Sequence, residues 1–200
     1  MIDPPPTLEL GHIRLRPLRT ADAPTLFAYL RAPIVTELTS YPVVTPALAH
    51  SIITKANTRW AAGELAKWGI AHVSDDHLIG TCGFTDGSPS HRWAELAYDL
   101  APAYWGQGLM RQVVASVLTW TFCTQPIARI QAYVRVDNRR SVRLLEHCGF
   151  VHEGCLRDYR LCRGQPHAFH VYGLLRAEWD TWSSNTVGTR ATTTNHASGV

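Results

Sequence analysis

The chain has 200 residues, 46% hydrophobic and 18% charged, with a formal net charge of +3. That length suits one domain with a sizeable core, and seven Trp, seven Tyr and five Phe supply its large apolar groups. No run of five or six like charges suggests a nucleic-acid arm, Met1 to Leu10 lacks the basic-then-apolar order of a signal peptide, and no apolar stretch is long enough to span a bilayer, so the expectation is a soluble cytoplasmic protein.

Ile13 to Leu18 alternates apolar and basic residues and reads as a half-buried strand. Thr20 to Leu30 reads as a helix with Thr20 as its cap and Pro24 in its first turn. Pro33 to Pro46 reads as irregular, and a second helix is expected over Ala47 to Ala62, ended by Gly63. Trp68 to Ser74, Leu78 to Phe84 and Trp93 to Leu100 are strands separated by short turns, which makes them antiparallel.

Gln107 to Cys123 is helical, with Leu109, Val113, Val117 and Thr121 along one stripe. Ala128 to Val136 is a strand, Asn138 to His147 a short helix, Gly149-Phe150 the start of another strand, and His167 to Leu175 the last one. Residues 183–200 are Thr, Ser, Asn, Ala and Gly with scarcely an apolar anchor and read as a disordered tail. The fold class is therefore α+β, a mixed sheet covered by helices, in one domain over residues 8–182.

Cys82, Cys123, Cys148, Cys155 and Cys162 include no Cys-x-x-Cys spacing, so reduced thiols are expected and a metal site is not. His147, His167 and His170 lack further ligands at metal spacing.

The most informative segment is Leu100-Ala101-Pro102-Ala103-Tyr104-Trp105-Gly106-Gln107-Gly108-Leu109-Met110-Arg111, which sets two glycines between a strand end and a helix start. Glycine lets backbone approach a ligand, and helix N-terminal amides point at an anion such as a pyrophosphate. Taken alone, the segment is equally an ordinary strand-to-helix turn, and it lacks the third glycine of a dinucleotide fingerprint and the Gly-Lys-Ser/Thr ending of a P-loop.

A second segment, Asn138-Arg139-Arg140-Ser141-Val142-Arg143-Leu144-Leu145-Glu146-His147-Cys148-Gly149-Phe150, follows a strand. Its pattern Asn-x-x-Ser-x-x-Leu-x-Glu-x-x-Gly-Phe resembles the second cofactor motif of the GNAT family of N-acetyltransferases, in particular the RimJ/RimL-like branch that acetylates ribosomal-protein N-termini. Gly106 to Arg111 is similar to that family's pyrophosphate loop. The resemblance extends from Ile13-Arg14-Leu15-Arg16-Pro17-Leu18 to Tyr172-Gly173-Leu174-Leu175 and Trp179. It departs from the family at Trp105, Met110, the Glu95-Leu96-Ala97-Tyr98-Asp99-Leu100 stretch and Ala168.

The resemblance implies a sheet with a splayed strand pair and helices on both faces, binding acetyl-CoA as cosubstrate without a metal. It implies cofactor contacts from Leu100, Ala101, Gly106, Gln107, Gly108, Leu109, Met110, Arg111, Asn138 and Ser141, with Leu100 and Ala101 supplying free strand amides to pantetheine and the thioester oxygen. Ser141 matches the position of the acid that protonates the departing thiolate, although a first-turn serine also bonds backbone. Asn138 is equally a helix cap.

Glu95 is the candidate base for the acceptor ammonium, with Asp99 in reserve on the same strand face. A strand glutamate also commonly pairs with an arginine. Tyr98 faces the other way and is read as packing. Arg111, Arg139, Arg140 and Arg143 are candidates for the nucleotide phosphates or for a solvated face. Cys148 has no evident base, so direct attack is expected over an acyl-cysteine. The expected acceptor is a primary amine, either a protein N-terminus or a small molecule, and the protein a monomer or homodimer. A noncatalytic acyl-CoA-binding module is the alternative from another class.

Overall fold

The computed structural model describes residues 5–181, so the expected tail lies outside the described residues. A single sheet carries eight strands in the order β1-β2-β3-β4-β5-β6-β8-β7. These are β1 (Leu8–Leu10), β2 (Ile13–Arg16), β3 (Lys67–His72), β4 (Leu78–Ser88), β5 (Trp93–Leu100), β6 (Arg129–Arg135), β7 (Val151–Cys162) and β8 (Gln165–Leu175). The helices are α1 (Ala23–Leu30), α2 (Pro33–Thr36), α3 (Pro46–Ala61), α4 (Leu109–Thr124) and α5 (Arg139–His147), and 176–181 is also helical.

Every strand pair is antiparallel except β5 with β6, which are joined through α4 and pair in parallel. That pairing covers only Trp93 to Glu95 against Arg129 to Gln131. Beyond Glu95 the two strands diverge, and the open edge of β5 faces a gap.

The core lies on both sides of this sheet. Ile13, Leu15, Ile70, Ile79 and Ile130 are fully buried. The expected stripe Leu109, Val113, Val117 and Thr121 is buried against the sheet, joined by Val114, Leu118 and Phe122. Trp68 is enclosed edge-on by Trp60 of α3 at 4.7 Å and Trp120 of α4 at 5.1 Å, a geometry that favours aromatic pairs.

Several boundaries move for local reasons. Gly108 takes a left-handed conformation at φ 74°, which no helix residue adopts, so α4 begins at Leu109 and not at Gln107. Asn138 stands outside α5 and caps it, its side chain accepting from the Ser141 amide. Gly149 and Phe150 form the turn before β7. The segment read as irregular contains one helical turn, α2, and the expected loop after Phe84 continues β4 to Ser88 past a bulge between Phe84 and Asp86. Arg16, expected on a solvent face, is buried between Asp22 at 2.8 and 2.9 Å and Asp76 at 2.8 Å.

Candidate active site

The glycine segment leads from the end of β5 into α4. Trp105 donates from Nε1 to the Leu100 carbonyl at 2.7 Å, and the Arg140 guanidinium lies over its ring at 4.5 Å, so the tryptophan braces the loop from within. Gly106 and Gly108 have φ of 76° and 74°. A Cβ added at either would meet no atom within 4 Å, which leaves open space before the loop. Gly108 caps α4 without a side chain, and the first-turn amides of Leu109, Met110 and Arg111 point outward unpaired by the helix. A diphosphate fits this cradle of amides and positive dipole. Gln107 folds back, donating from its side chain to the Ala103 carbonyl at 3.0 Å.

At the gap, hydrogen-bond alternation decides which amides are free. Ala101 donates to the Ile79 carbonyl at 2.8 Å, so the neighbouring pair Leu100 with Gly80 is of the unbonded kind and the Leu100 amide points away from β4. Of the two amides assigned to the thioester by resemblance, only that of Leu100 faces the gap.

A cleft of about 520 Å3 opens there, with Glu95, Tyr98, Asn138 and Ser141 in its wall. The Glu95 carboxylate accepts from one Arg160 nitrogen at 3.1 and 3.3 Å. The Arg160 guanidinium lies 4.9, 5.0 and 5.8 Å from the ring centres of Tyr133, Tyr159 and Phe169. An irregularity in β7 between Leu156 and Arg160, with Asp158 at φ 50°, aims this arginine inward. A larger cavity of about 690 Å3, near Trp93, Trp120 and Pro126, contains none of the motif residues.

A model of the acetyltransferase (GNAT) domain matches residues 12–151. The chain belongs to the GNAT acetyltransferase family. An uncharacterised N-acetyltransferase, p20, of Bacillus licheniformis is 31% identical over 86% of this chain and 98% of its own length. Shorter matches include a spermidine N(1)-acetyltransferase of Vibrio cholerae, 35% identical over 48% of this chain and 56% of its own, and the [ribosomal protein uS5]-alanine N-acetyltransferase of Escherichia coli, 29% identical over 58% and 61%.

In this GNAT domain Asp99 is no reserve base. It is buried and accepts from the hydroxyls of Tyr29, Tyr41 (2.9 Å) and Thr81 (2.7 Å), the Thr81 amide (3.2 Å) and Lys67 Nζ (3.3 Å). Lys67 has its other two donors on the Tyr41 and Thr81 hydroxyls. Burial and the Asp99 charge push the Tyr41 phenol up to about 12. Burial alone would pull Lys67 down, but Tyr41 and Asp99 overcome it and hold the ammonium charged.

Cys148 is buried, and burial raises its thiol to about 11 against the opposing charge of Arg111, so it is no ready nucleophile. His152 and His170 share a 2.9 Å hydrogen bond. Among the described residues no group of three or more His, Cys, Asp and Glu is placed to hold a metal ion, and no helix is long and apolar enough to cross a membrane.

Sequence reasoning missed Arg160 and Tyr41. Arg160 reaches Glu95 from a strand 65 residues away, and Tyr41 reaches Asp99 from a segment without periodicity. Neither lies in a motif.

Proposed function

We propose that the protein transfers the acetyl group of acetyl-CoA to the α-amine of a protein N-terminus by direct attack in a ternary complex in the cytoplasm. The observation that carries this reading is that Glu95 and Ser141 border one cleft, while on the same strand as Glu95 the Leu100 amide is turned away from β4 and the glycine loop leads on into the α4 N-terminus. The amides of Gly106 to Arg111 hold the pyrophosphate, and Asn138 contacts pantetheine.

Glu95, directly or through water, takes the proton of the acceptor ammonium. The neutral nitrogen attacks the thioester carbonyl, whose developing negative charge meets the Leu100 amide. As the carbon–sulfur bond breaks, the thiolate takes its proton from the Ser141 hydroxyl, and the proton that the attacking nitrogen sheds in becoming an amide restores that hydroxyl.

Two arguments favour an α-amine. With a pKa of about 7.7–8.0 it is roughly one-tenth neutral at pH 7, whereas a lysine amine near 10.4 is neutral about once in 2,500, so one carboxylate suffices as base. The ionisable wall of the cleft is Lys55, Arg59, Lys67, Arg135 and Arg160 against Asp86 and Glu95, a poor host for a polycation. The match to a spermidine acetyltransferase supports a small amine as the second reading.

Initial rates on peptides with free and blocked N-termini, each with an internal lysine, and on a polyamine panel separate the two. Turnover confined to the free N-terminus is the expected result. Efficient turnover only with polyamines, or equal turnover of the blocked peptide, would overturn the proposal.

A further inference from the structure

Most of the positive charge in the cleft wall is already engaged by the protein. Lys67 has its donors on Tyr41, Thr81 and Asp99. Arg135 gives Nε and Nη2 to Asp137 at 2.6 and 2.5 Å and Nη1 to the Glu37 carbonyl at 2.7 Å. Arg59 is bound to the Leu65 and Thr85 carbonyls at 3.0 and 3.2 Å, with Glu64 3.4 Å from its Nε. These cations hold the fold together and have little to offer a ligand.

Arg160 differs. Only its Nη2 meets Glu95, at 3.1 and 3.3 Å, while among the described residues no acceptor lies in bonding geometry to its Nε or Nη1, and neither atom is buried without a partner. Those donors are open to solvent, on a side chain that lines the cleft and is 29% exposed. The flanking rings of Tyr133, Tyr159 and Phe169 hold the guanidinium in place, so a ligand that meets it immobilises little further. A guanidinium carries five N–H donors in a planar fork that suits a carboxylate. An acceptor ammonium at Glu95 and the Arg160 guanidinium then flank one carboxylate. Because Nη2 lies 3.1 Å from that carboxylate, the open part of the guanidinium stands within a residue or two of the amine, each residue spanning about 3.3–3.6 Å. An acceptor with only its ammonium leaves two cations against one anion there. An acceptor with a carboxylate close by completes an alternating, balanced row of charges.

We infer that Arg160 is a specificity-determining residue that binds an acidic side chain within the first two residues of the acceptor protein. The inference rests on the reading of the acceptor as a protein N-terminus with its amine at Glu95, and it names the class of N-terminus. The α-carboxylate of a free amino acid has the same chemistry, but a protein presents it near its N-terminus only as Asp or Glu. The arrangement also excludes a polyamine, whose second ammonium would meet the guanidinium.

Kinetics on isosteric acceptors test it. Two pairs of peptides with free N-termini differ only in Asp against Asn, at the first position or at the second, and free aspartate and asparagine form a third pair. In the parent protein kcat/KM should favour Asp by about tenfold or more in at least one peptide pair, chiefly through KM, because a charge-assisted hydrogen bond to a non-reacting group is already made in the ground state. Arg160→Gln keeps an amide donor and loses the charge. Whatever it does to the absolute rate through Glu95, it should bring that ratio close to one, since both members of a pair share the same base. Lys55→Gln removes the other exposed cation of the wall and should keep the ratio. A ratio near one in both peptide pairs of the parent, a preference that survives in Arg160→Gln, or one that is lost in Lys55→Gln would overturn this inference and leave N-terminal acetylation standing. Turnover of free aspartate with every peptide untouched would overturn the N-terminal reading and this inference together.

Discussion

Tyr41 donates a 2.9 Å hydrogen bond to Asp99, tying the segment between α2 and α3 to the strand that carries Glu95. Lys67 completes the tie, 3.1 Å from the Tyr41 oxygen and 3.3 Å from Asp99. The carboxylate of Asp99 is thereby committed to architecture, which leaves Glu95, four residues earlier, as the proposed base.

This cluster predicts alkaline sensitivity. Burial and Asp99 raise the Tyr29 phenol well above its ordinary value and that of Tyr41 to about 12, and Lys67 is also held protonated. The folded state therefore keeps protons that the unfolded chain releases near pH 10 to 10.4, so stability is fully present below about pH 10 and falls as pH rises beyond it. Urea denaturation from pH 8 to 11 should show this decline, with a shallower slope in Tyr41→Phe. Stability unchanged over that range would contradict the assignment.

Gly108 sits at φ 74°, a region closed to valine. Gly108→Val should pull the loop and the first amides of α4 out of line and weaken coenzyme A binding by about tenfold or more, a change of at least about 1.4 kcal/mol by calorimetry. Unchanged affinity in a folded variant would remove the pyrophosphate from this loop.

Ser141→Ala should lower turnover at saturating substrates by about a hundredfold, the scale of a lost general acid, with coenzyme A affinity nearly constant. Turnover equal to the parent's would show that the thiolate is protonated by another group or by water.

Glu95→Gln keeps an oxygen for Arg160 but cannot take a proton. The acidic limb of the kcat/KM profile should vanish in this variant, leaving a low, flat rate. A limb that persists places the base elsewhere in the cleft.

Much of this was legible in the chain because local rules agreed with the global fold. The bounds of β5 matched, and the stripe on α4 was buried as its spacing required. Gly106 and Gly108 marked the turn into α4 because only glycine takes their backbone conformation at little cost. What stayed hidden depends on distant partners. β1 is a strand because it pairs with β2, not because three residues favour it. Arg16 reads as a surface cation until Asp22 and Asp76 are brought around it. Asp99 resembles a spare base until four side chains from separate elements close over it. Arg160 is aimed at Glu95 by an irregularity in β7 that no local pattern marked.

Tandem mass spectrometry of a peptide with a free N-terminus and an internal lysine, after incubation with acetyl-CoA and the protein, tests the central claim most directly. The predicted result is one acetyl group on the α-nitrogen, lost when Glu95→Gln or Ser141→Ala replaces the parent chain. Acetyl on the lysine with the α-amine untouched, or transfer that is undiminished in both variants, would contradict the account.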